Sequence, residues 1–504
     1  MKLSNTFFLI VLTLLLLTGL VAIHPENGIV LTDNITLQFP SWEDVFELED
    51  HSKAEEVTNI IEEEVEEVEQ IVLVDSAEIR RLDSIQVMRE LDSLRNWQLK
   101  LHYQDDDKSL LYAFFDKLLR KSKSNKIRIV HYGDSQIEGD RITGFFRHKL
   151  QDKFGGTGPG LMAPVPLVYN FGINQSYDDN WKRYTRYGFH DSLIVHRRYG
   201  VMASFGRFAP PHTDTTYSDT LVYNGTLTFK RRNSSYKGTK YFKQLKLFYG
   251  YNTKPVQIEV YADGELAILD TLKASSSSHV FKYHFRKSPR KVEIKFSGND
   301  SPDVFAVSLE GDKGINVDNI ALRGASGTLF KRITKATLTS AYNEISPDLI
   351  LMQFGGNVMP FIDNAKESKS YARRFERTLN YMKSMNPNAS IIVIGPSDMS
   401  YLNKTNWETY PMLPIVVKDL KQAAFNSGAA YWDIFQAMGA ESSMPIWVEA
   451  NPPLAAKDHI HFTRKGARKV AHWFYNAIVR DFNEYIILNS QNESERADTL
   501  QVVQ

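Results

Sequence analysis

From about residue 318 to residue 480, short apolar runs alternate with stretches of helical period, and this alternation limits the possible folds more than any other feature. Thr328–Ile345, Tyr371–Met385, Leu413–Ser427 and Arg464–Val479 read as helices, while Asp348–Phe354, Ser390–Gly395 and Ala430–Ile434 read as buried strands. Strands separated by helices of this length need crossover connections, which give a mainly parallel sheet covered on both faces. The same grammar occurs earlier. Leu110, Leu111, Phe114, Phe115, Leu118 and Leu119 fall on one helical face, Ile127–Tyr132 is a β-rich run, and Ile142–Lys153 predicts another helix.

Between residues 200 and 312 the period changes from helical to two. Gln244–Tyr249, Val256–Tyr261, His279–Phe285, Val292–Phe296 and Val304–Leu309 alternate apolar with polar residues, separated by turn signals such as Ala262-Asp-Gly264. Five strands with no helix between them predict an antiparallel sandwich of jelly-roll type. It interrupts the α/β domain rather than following it. Its Lys and Arg residues, such as Lys230 and Arg290, read first as a solvated sheet face; a face for an anionic glycan is the sharper alternative.

The 504 residues are 42% hydrophobic and 24% charged, enough for substantial cores, and the formal net charge is zero. No global field therefore argues for nucleic acid. The absence of cysteine excludes disulfides, thiolate metal sites and a cysteine nucleophile. Phe7–Ile23 is an uncharged run of 17 residues, expected as an uncleaved membrane anchor or a signal segment (1–23) that places the body outside the cytoplasm. Glu43–Glu69 carries thirteen acidic residues against one Lys, so 24–107 is expected to be an acidic linker with a helical stalk over 77–99. The remaining boundaries are a first α/β part over 108–200, the sandwich over 201–312, a second α/β part over 313–488, and a polar tail over 489–504. Gly155-Gly-Thr-Gly-Pro-Gly160 lacks the Lys-Ser/Thr of a phosphate loop and reads as a mobile loop near the site.

The candidate chemistry begins where the strand 127–132 ends in Gly133-Asp134-Ser135. A hydroxyl there lies at the carboxyl edge of a sheet, next to backbone N–H groups that favour negative charge. Most such triplets are only turns, and a nucleophile also needs a base, a group that orients the base, and oxyanion donors. Asp458 and His461 stand three residues apart before a helix, Asn357 follows the strand 348–354 through Gly355-Gly356, and Gly327 precedes a helix. A metal-binding pair of His459 and His461 is an alternative that lacks an obvious third ligand.

Gly-Asp-Ser135, Ala-Ser-Gly327, Gly-Gly-Asn357 and Asp458-x-x-His461 follow the order of the four blocks of the SGNH (GDSL-like) hydrolases, which the chain resembles over residues 125–200 and 315–485. The resemblance implies a flavodoxin-like three-layer α/β/α fold and acyl-ester hydrolysis without metal or organic cofactor. It implies Ser135 as nucleophile, His461 as base and acid, Asp458 as its partner, and Ser135, Gly327 and Asn357 as the oxyanion hole. Gln136 stands where Leu is usual, and Val358 where Asp is frequent. A β-sandwich between the first two blocks is similar to the bacterial peptidoglycan O-acetylesterases, whose insert resembles a carbohydrate-binding module. The expectation is an exported, envelope-located carbohydrate esterase acting on an acetylated polysaccharide or peptidoglycan, with the membrane met through the N-terminal segment. The alternatives are an acetyltransferase using the same triad and a glycan-binding protein with an inactive hydrolase domain.

Overall fold

The computed structural model describes residues 29–32, 35–37, 99–188 and 190–502. The N-terminal apolar segment and nearly all of the expected stalk lie outside the described residues. Among the described residues, no helix is long and apolar enough to cross a membrane.

Five parallel strands form the centre of the hydrolase domain: β1 (Lys126–Gly133), β2 (Gly314–Ala321), β3 (Leu349–Gln353), β4 (Ser390–Ile394) and β5 (Ala430–Trp432). Their order across the sheet is 2-1-3-4-5, the flavodoxin-like arrangement, with Leu101–His102 added antiparallel at the β5 edge. The folded body thus starts before residue 108.

Alternate residues of each strand feed two separate cores. Ile127, Ile129, Leu349, Leu351 and Ile392 pack against α1 (Tyr112–Lys121), α2 (Thr143–Phe154) and α6 (Arg464–Val502). Val130, Tyr132, Ile350, Met352 and Val393 pack against α3 (Lys335–Ile345), α4 (Ala365–Met385) and α5 (Leu413–Asn426). The result is the three-layer α/β/α domain that the alternation predicts. The polar segment 489–502, expected as a tail, continues α6 as helix, and it contains no Gly or Pro to end it.

The sandwich enters between α2 and β2. One sheet runs in the order 275–284, 244–252, 303–310, 204–207, 182–185, with 160–162 paired to 303–310. The other runs 265–272, 256–262, 291–298, 223–231, 173–177, and every pairing in both sheets is antiparallel. Strands from 160 to 185 therefore belong to these sheets although they precede residue 201. Leu227, Phe229, Leu247, Ile258, Val292 and Ile294 fill the space between the sheets.

The outer face of the first sheet is not solvated where it meets the hydrolase. Tyr184, Tyr199, Phe205, Phe248 and Phe305 join the same core as Leu329, Phe330 and Leu338. Beside them Arg128 of β1 is buried, bonded to Asp318 of β2 at 2.7 and 3.0 Å and to Glu310 of the sandwich at 2.5 Å. Lys246 reaches Glu310 at 2.9 Å and Glu344 of α3 at 3.0 Å.

The glycine run after α2 is not a mobile loop near the site. It crosses β2 at backbone contact: Ile315 N–H donates to Gly155 O at 2.9 Å, and Gly311 N–H to Thr157 O at 2.8 Å. Gly156 adopts φ +111°, and a Cβ there would lie 2.3 Å from the Ile315 backbone. Only glycine allows this approach.

Candidate active site

β1 ends at Gly133, where a Cβ would press on Ile137 at 2.9 Å and on Gln353 O at 3.2 Å. The chain then turns directly into a short 3-10 segment, Ser135–Asp140, whose first N–H groups are capped by Asp134: its Oδ1 accepts from Gln136 N–H at 2.9 Å. This fixes Ser135 at the carboxyl edge of the central sheet.

The loop preceding α6 carries the other two groups to the same edge. His461 Nε2 lies 2.8 Å from Ser135 Oγ, and His461 Nδ1 lies 2.7 Å from Asp458 Oδ2. The second carboxylate oxygen of Asp458 accepts the N–H groups of Ile460 and His461, both at 3.0 Å. Partial burial pushes the Asp458 carboxyl up, but the bonds from His461 and Ile460 outweigh it and hold the group below its ordinary range. The carboxylate is thus ionised, sets the tautomer of the imidazole, and stabilises a positive charge on it.

Asn357, on the turn after β3, donates Nδ2–H to Asp134 Oδ2 at 3.1 Å and to Ala325 O at 3.3 Å. A cavity of about 370 Å³ opens over these groups, lined by Ser135, Gly324, Asn357, Phe361, Met399 and His461 among others. Phe361 is 77% exposed at its rim. Gly324, not Gly327, lies in the cavity wall. A Cβ on Gly324 would meet nothing within 4 Å, whereas one on Gly327 would strike Phe375 at 2.6 Å and Phe354 at 2.7 Å. Both glycines have positive φ and lie in one four-residue run, so sequence alone does not separate the packed one from the open one.

Two further residues emerge from the geometry. Gln136 Nε2 donates to Ile460 O at 2.6 Å and its Oε1 accepts from Phe462 N–H at 3.4 Å, so the amide brackets His461 from both sides. Arg141 donates to Ser135 O at 2.7 Å and to Phe462 O at 3.1 Å. The nucleophile's turn and the base's loop are therefore bonded to each other directly. The polar Gln136 at a position where Leu is usual is the sequence signal for this clamp. His459 plays a different part: it stacks on Trp407 with centroids 3.7 Å apart. Among the described residues no three His, Asp or Glu side chains converge where they could hold a metal ion.

The chain resembles known proteins in part of its sequence and in its fold. Residues 289–474 match the model of the GDSL-like lipase/acylhydrolase family. A solved peptidoglycan O-acetylesterase superimposes with a TM-score of 0.57 at 19% identity, covering 73% of this chain and 96% of that one. A putative GDSL-like lipase from Parabacteroides merdae matches with a TM-score of 0.26 at 16% identity, over 33% of this chain and 74% of that one. A family two carbohydrate esterase from Cellvibrio japonicus matches with a TM-score of 0.23 at 11% identity, over 62% and 99%. No curated protein sequence matches the chain. The family match ends shortly after His461 but begins inside the sandwich, so it does not include the Ser135 turn that the fold brings to the same edge. Residues 289–474 thus match a GDSL-like acylhydrolase domain, the fold is that of a solved ester hydrolase, and together they support carboxylic ester hydrolysis.

Proposed function

We propose that this protein is an exported serine esterase that removes O-acetyl groups from a carbohydrate, with peptidoglycan or another cell-surface polysaccharide as substrate. The observation that carries the proposal is the continuous line from Ser135 Oγ through the His461 ring to Asp458, at 2.8 and 2.7 Å, on the floor of an open cavity. Ser135 Oγ attacks the ester carbonyl while His461 Nε2 takes its proton, and Asp458 stabilises the imidazolium. The developing oxyanion is held by the N–H groups of Ser135 and Gly324 and by Asn357 Nδ2, which keeps one hydrogen on Asp134 and turns the other from Ala325 O to the substrate. His461 then protonates the departing sugar hydroxyl. Water attacks the acetyl-serine with His461 again as base, and acetate leaves.

Carbohydrate as the substrate class draws support from the fold shared with a peptidoglycan O-acetylesterase and from the inserted sandwich. Export draws support from the apolar run Phe7–Ile23. The test is acetate release from acetylated peptidoglycan, other acetylated polysaccharides and an aryl acetate, using wild type and Ser135→Ala. Loss of at least ~10³-fold in the variant is expected. A Ser135→Ala protein as fast as wild type overturns the proposal. Acetate passed to an added sugar acceptor instead of to water would identify a transferase.

A further inference from the structure

A second cavity of about 70 Å³ lies at the seam between the hydrolase and the sandwich. It shares two walls with the catalytic cavity. The turn after Ser135 turns Gln136 to one side and Glu138 and Gly139 to the other, and the end of β2 gives Asn319 and Ala321 to the seam while the chain leaving it gives Gly324 to the catalytic side. Ser135 and Glu138 are three chain positions apart, a span of at most about 11 Å. One substrate molecule the length of a disaccharide covers that distance.

The polar groups in the seam are arranged for an anion. Arg183, from the sandwich strand 182–185, donates Nη2–H to Tyr187 and lies over its ring, but its Nε and Nη1 are buried and have no partner among the described residues. Ser204, 1% exposed on the neighbouring strand, also lines the cavity, and its Oγ has no partner among the described residues. Glu138 is the only carboxylate in the wall among the described residues, and both of its oxygens are taken by Arg323 at 2.7 and 2.6 Å. A guanidinium never loses its charge, and a buried one without a counter-charge is costly unless a ligand provides it. Positive charge also lies behind the Gly139–Asn170 part of the wall, where Phe171 N–H donates to Gly139 O. Phe171, following the lining residue Asn170, has Arg232 at 5.7 Å and Arg464 at 5.1 Å over its ring, and among the described residues no carboxylate pairs with either.

We infer that the seam cavity binds a carboxylate carried by the glycan substrate, so that Arg183 and Ser204 select acidic over neutral acetylated saccharides. The inference rests on the esterase reading above, but its test measures binding and is independent of turnover. The full chain carrying Ser135→Ala is titrated by calorimetry at low salt with trigalacturonic acid, a muramyl dipeptide and neutral cellotriose. The first two distinguish a uronic acid from a peptide as the source of the carboxylate. At least one carboxylate probe should bind about tenfold or more tightly than cellotriose, and Arg183→Gln should abolish that advantage. If Arg183→Gln fails to fold, Asn170→Asp, which places a competing carboxylate in the cavity, should abolish it as well. Equal affinity for all three probes, or an advantage that survives the substitutions, overturns the inference. Failure of the esterase reading shows separately, as absence of aryl acetate hydrolysis by wild type.

Discussion

Asp134 shows how one residue serves both the nucleophile and the oxyanion donors. It caps the Ser135 turn through Gln136 N–H and holds the Asn357 amide. Burial pushes its carboxyl up to about 6, against the opposing pull of the Gln136 N–H, His461 and Asn357. The folded-state value therefore lies above the value of 3.8 for the free group, and the folded protein binds the extra proton between those two pH values. The ionised carboxylate weakens the fold above pH 6, and this penalty is relieved as pH falls toward 4. The difference in stability between Asp134→Asn and wild type should thus favour the variant more at pH 7 than at pH 4, by up to about 3 kcal/mol in denaturant unfolding. Parallel pH profiles would contradict this role. At this scale the sequence identifies Ser135, Asp458, His461 and Asn357 as candidates, because each residue type has one chemistry to offer at a strand end. The clamp by Gln136 and Arg141 depends on packing between segments more than 300 residues apart, and the open glycine at 324 on how Phe354 and Phe375 close over Gly327 instead; no local pattern encodes either.

At the scale of elements, regular period was legible and irregular polarity was not. α2, α4, α5 and the five named sandwich strands lie close to their expected positions because apolar residues recur at 3.6 or 2 along them. β2 was not visible because Asn316, Asp318 and Asn319 interrupt its apolar run. Asp318 is tolerated there because Arg128 and the Leu161 N–H, at 2.8 Å, satisfy it. The expected helix over 328–345 is shortened to 335–345, with a separate 3-10 turn over 330–332. The glycine run 155–160 reads as flexible because glycine's permissiveness is visible in sequence, while the backbone it must clear is not. Gly156→Ala combines positive φ with overlap on Ile315 and should destabilise the protein by about 2–4 kcal/mol. Thermal or denaturant unfolding measures this. A neutral substitution would mean that the crossing relaxes freely.

For the whole molecule, the sandwich is welded to the hydrolase rather than tethered to it. Arg128 ties Asp318 of the central sheet to Glu310 of the sandwich, and Phe205, Phe248 and Phe305 share a core with Phe330 and Leu338. Arg128→Ala would leave the buried Asp318 without its counter-charge, while Glu310 keeps Lys126 and Lys246, at a cost of about 3–5 kcal/mol. Calorimetry of the wild type should show one unfolding transition, with the variant's midpoint lowered as a single step. Two separate transitions would instead mark the sandwich as an autonomous unit.

The shared core also bears on how such proteins diversify. Exchange of accessory modules between enzymes normally needs only a linker and two compatible ends. Here the border runs through a hydrophobic interior and an ion network, so a transplanted sandwich would have to bring Glu310, Phe305 and the glycine crossing with it. Change in what this enzyme recognises is therefore expected to proceed by substitution along the seam, residue by residue, and not by trading whole modules.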